Sequence, residues 1–205
     1  SVHVKQPLTQ SIEVTVGNGG DYSTINQAID SITSLYTPKY LPGVGTSRVT
    51  IRLLTDFVMN EQVLVDSLDL SWITIVGNDA ETIINRSALI KSFGGGYPAF
   101  GATNGGFLPI IAHLFNMNTS GNSTNRHGIL VNDGSKVIIG YKDGVKNAGG
   151  YGIYANNNSM VTGDFYVNVS GAGSYGISAK NCSIANVPYI IASGAGNRGI
   201  SALTG

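Results

Sequence analysis

Cysteine occurs once in the 205 residues, as Cys182, so no intrachain disulfide can form and no cysteine-based metal cluster can be assembled. Charge is scarce too. Lys plus Arg equals Asp plus Glu at 12 each, the formal net charge is zero, and charged residues make up only 12% of the chain. Bulk electrostatic attraction to nucleic acid or to an anionic membrane surface is therefore excluded as the driving force for a partner. No apolar run reaches transmembrane length, and no basic-then-apolar leader opens the chain, so no membrane insertion is expected. The spaced leucines of a leucine-rich repeat are missing, and the 28 glycines show no every-third period, which excludes collagen. No residue pattern calls for a cofactor or a metal.

What the chain does have is a repeat. Gly128-Ile129 returns after 24 residues as Gly152-Ile153, again as Gly176-Ile177, and one residue early as Gly199-Ile200. Ser135, Ser159 and Ser183 keep the same phase, as do Asp133, Asn157 and Asn181, and Tyr141, Phe165 and Tyr189. Each unit closes on a Gly-rich turn, Gly149-Gly150, then 171–173, then 194–196. A unit this short cannot bury its own apolar face and must stack on its neighbours, which makes the chain a solenoid. Within a unit Ile129, Val131, Val137, Ile139 and Tyr141 alternate with polar or variable positions, which is strand periodicity. The fold class that follows is an all-β solenoid: a single-stranded right-handed parallel β-helix in which like side chains stack at roughly 4.8 Å.

The stacked columns then acquire roles. Asp133, Asn157 and Asn181 fall between two short strands, where an Asx side chain bonds its own backbone and tolerates a left-handed bend, so they read as a turn ladder in preference to a ligand site. The serine column fits either a turn or inward hydroxyl packing. Cys182 reads as a small packed side chain near the turn.

Nearer the start, residues 1–11 read as an extended or mobile lead-in and 12–205 as one β-helix domain. Ile12–Val16 alternates as a strand. Residues 22–35 carry Ile25, Ala28, Ile29, Ile32 and Leu35 at helical spacing with Ser23 as N-cap, a helix suited to cover the open end of the solenoid. A loop is expected over Thr37–Ser47, irregular coils over about 48–125, and regular coils over 126–205. The chain starts at Ser1 and stops partway into a fourth unit, so a longer parent protein is expected.

Four aromatic residues are candidates for stacking on sugar rings: Trp72, Tyr97, Phe100 and Phe107. Trp72 lies in an Ile/Val-rich strand, which equally fits a core or subunit contact. The other three belong to a Gly-rich insertion at 93–107, either an aromatic sugar-binding loop or an insertion packed on its own chain or a neighbouring subunit. Asn118 and Asn122 stand in formal glycosylation sequons. Acid/base glycoside cleavage needs two carboxyl groups, about 5 Å apart for retention and about 6.5–9.5 Å for inversion. Only Asp143 and Asp164 are placed to approach across adjacent coils, with a phase offset of three residues, so they are the catalytic candidates.

The run Val16-Gly17-Asn18-Gly19-Gly20-Asp21-Tyr22-Ser23-Thr24-Ile25-Asn26-Gln27-Ala28-Ile29, followed by Val49–Leu53 and by Ile73-Thr74-Ile75-Val76-Gly77, resembles the opening of pectin methylesterases and other pectate-lyase-like β-helix proteins. Glu81-Thr82-Ile83-Ile84 continues the resemblance, which covers roughly the first 90 residues. The same opening occurs in lyases, hydrolases and bacteriophage tailspikes, so it implies the fold and leaves the activity open. The esterase motifs G-F-x-A-x-D and Q-D-T-L are absent, as is the acidic cluster that calcium-dependent lyases use. No family catalytic residue transfers. The leading expectation from the resemblance is a tailspike or tail-fibre segment, trimeric and carried on a virion, that presents a surface to host capsular or O-antigen polysaccharide. A glycan depolymerase with its site in absent coils or between subunits is the second, and a bacterial surface adhesin the third.

Overall fold

The computed structural model describes residues 4–41, 45–46, 48–117 and 125–203. The chain winds through three parallel sheets in a fixed rotation, and each sheet takes its strands in sequence order. Sheet I holds seven strands: Ile12–Val16, Val49–Leu53, Ile73–Gly77, Ile110–Ile111, Lys136–Ile139, Met160–Gly163 and Ile184–Asn186. Sheet II holds six, Val58–Met59, Thr82–Ile84, Leu114–Asn116, Asp143–Lys146, Tyr166–Asn168 and Tyr189–Ile191. Sheet III holds Val63–Asp66, Phe100–Thr103, Ile129–Val131, Ile153–Ala155, Tyr175–Lys180 and Arg198–Leu203. One coil is one pass through sheets I, II and III. This is a right-handed parallel β-helix.

The sequence repeat is the register of the pairing. Ile129 pairs with Ile153 and Ile153 with Ile177, while Lys136 pairs with Met160 and Met160 with Ile184. Identical apolar side chains therefore stack in columns. Ile129, Ile153 and Ile177 are all 0% exposed, as are Ile51, Ile75, Ile111 and Ile139 in sheet I. Ile200 continues the first column yet is 59% exposed, because among the described residues no coil stacks on it.

Several expectations are corrected here. Tyr189 pairs with Tyr166, not with Phe165, so the one-residue shortening falls between Asn186 and Tyr189, earlier than Gly199-Ile200 implies. The coil from Val49 to Ile73 already has the 24-residue spacing, so the early coils are irregular only where insertions enter. Cys182 is exposed with φ of 60°, a turn residue and not a packed one. Of the lead-in, Gln6–Pro7 is extended as expected and pairs with Tyr36–Thr37, and Leu8 is 3% exposed. Within the expected loop, Tyr40–Leu41 and Gly45–Thr46 form an antiparallel pair.

The helix spans Ile25–Leu35 and buries Ile25, Ala28, Ile29 and Ile32 against the first strands of sheet I, closing that end of the core. Its N-cap is Thr24, whose hydroxyl accepts from the Gln27 N–H, not Ser23. The physical reason is competition for donors. The Ser23 N–H is taken by Gln27 Oε1, and the Glu61 carboxylate accepts from the N–H groups of Ile25 at 2.7 Å and Asn26 at 3.0 Å. Leu35, expected in the apolar stripe, is 46% exposed at the helix end.

The Asx column behaves as read. Asp133, Asn157 and Asn181 sit at φ of 53°, 52° and 50°. Asn157 donates to Asp133 at 2.9 Å and Asn181 to Asn157 at 3.0 Å, so each turn is bonded to the next. The serine column serves the same corner, with Ser159 Oγ accepting from the Ser135 N–H and Ser183 Oγ from the Ser159 N–H.

Candidate functional site

The four aromatic candidates do not converge. Trp72 is 7% exposed, and its indole N–H donates to the Asp69 carbonyl at 3.0 Å, so it is a wall of the core and offers no sugar platform. Phe100 is 0% exposed and packs edge-on to Phe115 at 4.9 Å. Its place in sheet III turns the side chain inward, which removes it from any surface. Tyr97 is half-buried against the core with the Arg126 guanidinium 5.9 Å from its ring centre, and Phe107 is half-buried between Asp69 and Lys136. The first part of the insertion folds onto its own chain. Phe93 and Gly96 bond each other's backbone, and Phe93 and Pro98 cover Gly101 so closely that no side chain fits there. Asn118 and Asn122 lie outside the described residues.

The two carboxylate candidates lie on adjacent coils. Asp143 opens its strand in sheet II, and its Oδ2 lies 2.5 Å from where a Cβ on Gly140 would stand. Asp164 occupies the position of Gly140 one coil on, since Ile139 pairs with Gly163. Asp164 therefore lies one coil on from Gly140, close enough for its charge to act on the Asp143 carboxyl. Burial, and secondarily the charge of Asp164, push the Asp143 carboxyl up from 3.8 to about 6. Asp164 is exposed.

Around this pair the corner between sheets I and II carries an aromatic ladder. Tyr141 and Phe165 are 54% and 42% exposed, whereas Ile139, Val145 and Val167 beside them are 0% exposed, and Tyr189 in the last strand of sheet II is 51% exposed. Their centroids are 6.0 Å apart for Tyr141–Phe165 and 4.7 Å for Phe165–Tyr189, and Tyr166 packs 4.8 Å from Phe165 and 5.1 Å from Tyr189. Lys142 lays its ammonium 5.1 Å over Tyr141. The sequence held the clue in the phase of Tyr141 and Phe165, but alternation alone gave no reason to turn those rings outward. Tyr166 and Lys142 were missed because neither recurs with the period.

In comparisons with known proteins, no family model and no curated protein matches this chain. The β-helix itself is what the structure establishes. No helix among the described residues is long and apolar enough to cross a membrane, and no group of three or more His, Cys, Asp or Glu among them is placed to hold a metal ion.

The raised Asp143 carboxyl has a measurable consequence. A carboxyl whose folded pKa lies above its unfolded one binds more protons in the folded state, so stability falls as pH rises from about 4 to about 6. Asp143→Asn removes that penalty. The variant is expected to be more stable than the parent at pH 7 by about 1 kcal/mol, after discounting for solvent screening, with the gap closing by pH ~4. Thermal melts at both pH values check it; a gap that does not change with pH would show that Asp143 is not held protonated.

Proposed function

We propose that this chain is the scaffold and binding segment of a tailspike or tail-fibre protein, presenting the corner between sheets I and II to host capsular or O-antigen polysaccharide. The observation that carries the reading is the exposed ladder of Tyr141, Phe165 and Tyr189. Large aromatic rings left at a solenoid corner offer apolar area that sugar C–H faces cover, while hydroxyl, ammonium and carboxylate groups beside them bond sugar hydroxyls. Ligand contacts of one kind repeating along the axis suit a linear polymer better than a small molecule. The virion setting and the trimer rest on the resemblance of the opening 90 residues to that superfamily.

Binding is tested by retention on a panel of immobilised capsules and O-antigens. The triple variant Tyr141→Ala, Phe165→Ala, Tyr189→Ala is expected to lose tenfold or more of its retention, at about 0.5–1.5 kcal/mol per ring. Unchanged retention would remove the corner from the binding surface.

One observation favours a second reading, glycoside cleavage. Asp143, raised to about 6 by burial and by the neighbouring Asp164, has the raised carboxyl that a general acid in glycoside cleavage needs, with a second carboxyl group one coil away. Release of reducing ends that is lost in both Asp143→Asn and Asp164→Asn would establish it, and binding without release would leave the segment a receptor-binding surface.

A further inference from the structure

Zero net charge conceals a segregation that only the coil geometry exposes. Residues 85–103, 125–132, 147–157, 169–182 and 192–203 form the corner between sheets II and III together with sheet III from its second strand on. These segments contain no Asp or Glu, yet they carry Arg86, Lys91, Arg126, Lys180 and Arg198. The acids Asp79, Glu81, Asp143 and Asp164 belong to the corner between sheets I and II or to the sheet II strand edge beside it, while Asp133 borders the far end of sheet III, where its carboxylate accepts from Asn132 and Asn157.

The same acid-free corner has its own aromatic column. His127 stacks on Tyr151 at 4.8 Å and 17°, and Tyr151 on Tyr175 at 5.3 Å and 18°. Tyr154 packs beside Tyr151 at 4.8 Å. The Lys180 ammonium lies 5.7 Å from the Tyr151 ring centre and 5.4 Å from that of Tyr154. Arg198 pairs with Tyr175 in the next strand and is exposed. His127 anchors the buried end of the column: its Nδ1 accepts the Tyr151 N–H at 3.0 Å, and burial pushes its pKa down to about 4, so it stays neutral and leaves the charge to Lys180 and Arg198.

We propose that this face is a second carbohydrate-binding site, selective for carboxylate-bearing polysaccharide, with Tyr151, Tyr154 and Tyr175 as the stacking wall and Lys180 and Arg198 as the groups that pair with the sugar carboxylates. The ligand class rests on the polysaccharide-binding reading given above, but the site shares no residue with the Asp143 corner. Cations held beside aromatic rings favour an anionic ligand by charge complementarity. The half-buried tyrosines supply hydroxyl donors and ring edges in a fixed array, and the coil rise again suits a linear polymer. A neutral glycan would gain the stacking without the charge pairing, and would be held less well.

The probe is alginate, a carboxylated polysaccharide, with dextran as the neutral control and single-stranded DNA as a polyanion of another class, read by affinity electrophoresis of the folded chain. Alginate is expected to retard the protein, more weakly as NaCl rises from about 50 mM to about 300 mM. Lys180→Gln with Arg198→Gln is expected to lose roughly tenfold of that retardation, and Lys180→Arg with Arg198→Lys to keep it. Both positions are at the surface, and circular dichroism of each variant separates lost binding from lost fold. Equal retardation by dextran, stronger retardation by DNA, or full retention in the double glutamine variant would each overturn the proposal. The triple alanine variant of the Tyr141 ladder is expected to bind alginate as the parent does. Failure of the ladder variant to affect host polysaccharide, with alginate binding intact and dependent on Lys180 and Arg198, would sink the corner reading and leave this site standing.

Discussion

Replacing Phe100 with alanine is expected to lower stability by about 3–5 kcal/mol, the range for deleting a fully buried aromatic ring. The ring is 0% exposed, meets Phe115 edge-on at 4.9 Å, and stands in a column between Val63 and Ile129. Removing it leaves a cavity between three coils whose backbones are bonded to one another on both sides, so the walls cannot collapse inward. For a domain of this size that loss corresponds to a fall in melting temperature of about 10 °C or more. Phe100→Leu, which keeps most of the volume, should recover more than half of it. A Phe100→Ala variant that melts like the parent but loses polysaccharide retention would return Phe100 to the surface role its Gly-rich context first implies.

Gly152→Val is the second large effect, and it arises from crowding instead of cavity formation. Gly128, Gly152, Gly176 and Gly199 form one column, and a Cβ at Gly152 would stand 2.7 Å from the Gly176 carbonyl oxygen and 2.6 Å from Val169 Cβ. The oxygen belongs to the backbone of the next coil, so it cannot swing aside as a side chain would. The expected loss is about 3 kcal/mol or more, at the upper end for overpacking. Gly105→Ala is the control. It sits at φ of 73° with no atom within 4 Å of its Cβ position, so only backbone strain of about 1 kcal/mol is expected there. Chemical denaturation of the three proteins side by side checks the order; equal losses for Gly152→Val and Gly105→Ala would mean that conformation, not close approach, fixes the glycine column.

These two positions show where sequence reading succeeds and where it stops. Gly152 could be placed because a requirement repeated in every coil leaves the same residue in every coil. Phe100 could not, because it lies in a coil reached through an insertion, where there is no second copy of the pattern to set the phase. The choice of inward or outward is made by one residue of register. The same limit explains Trp72, whose strand composition fits a core wall and a sugar platform equally well until its indole N–H is seen to bond Asp69. The Thr24 cap was missed in favour of Ser23 for a different reason: Glu61, 36 residues from Ile25, supplies acceptors to the helix start that no local motif announces.

The sequence by itself determined the solenoid, its 24-residue coil, the Asx turn ladder and a helix near the start, because each follows from local chemistry repeated at a fixed spacing. It also put Asp143 and Asp164 on adjacent coils, since a known period converts sequence separation into a coil number. Only the tertiary structure decided which rings face solvent, that burial raises the Asp143 carboxyl to about 6, and how the charges of a chain of zero net charge are shared among its faces. Those properties depend on which face of its coil each side chain takes and on what the neighbouring coils stack against it, and one residue of register decides the first while residues far along the chain decide the second.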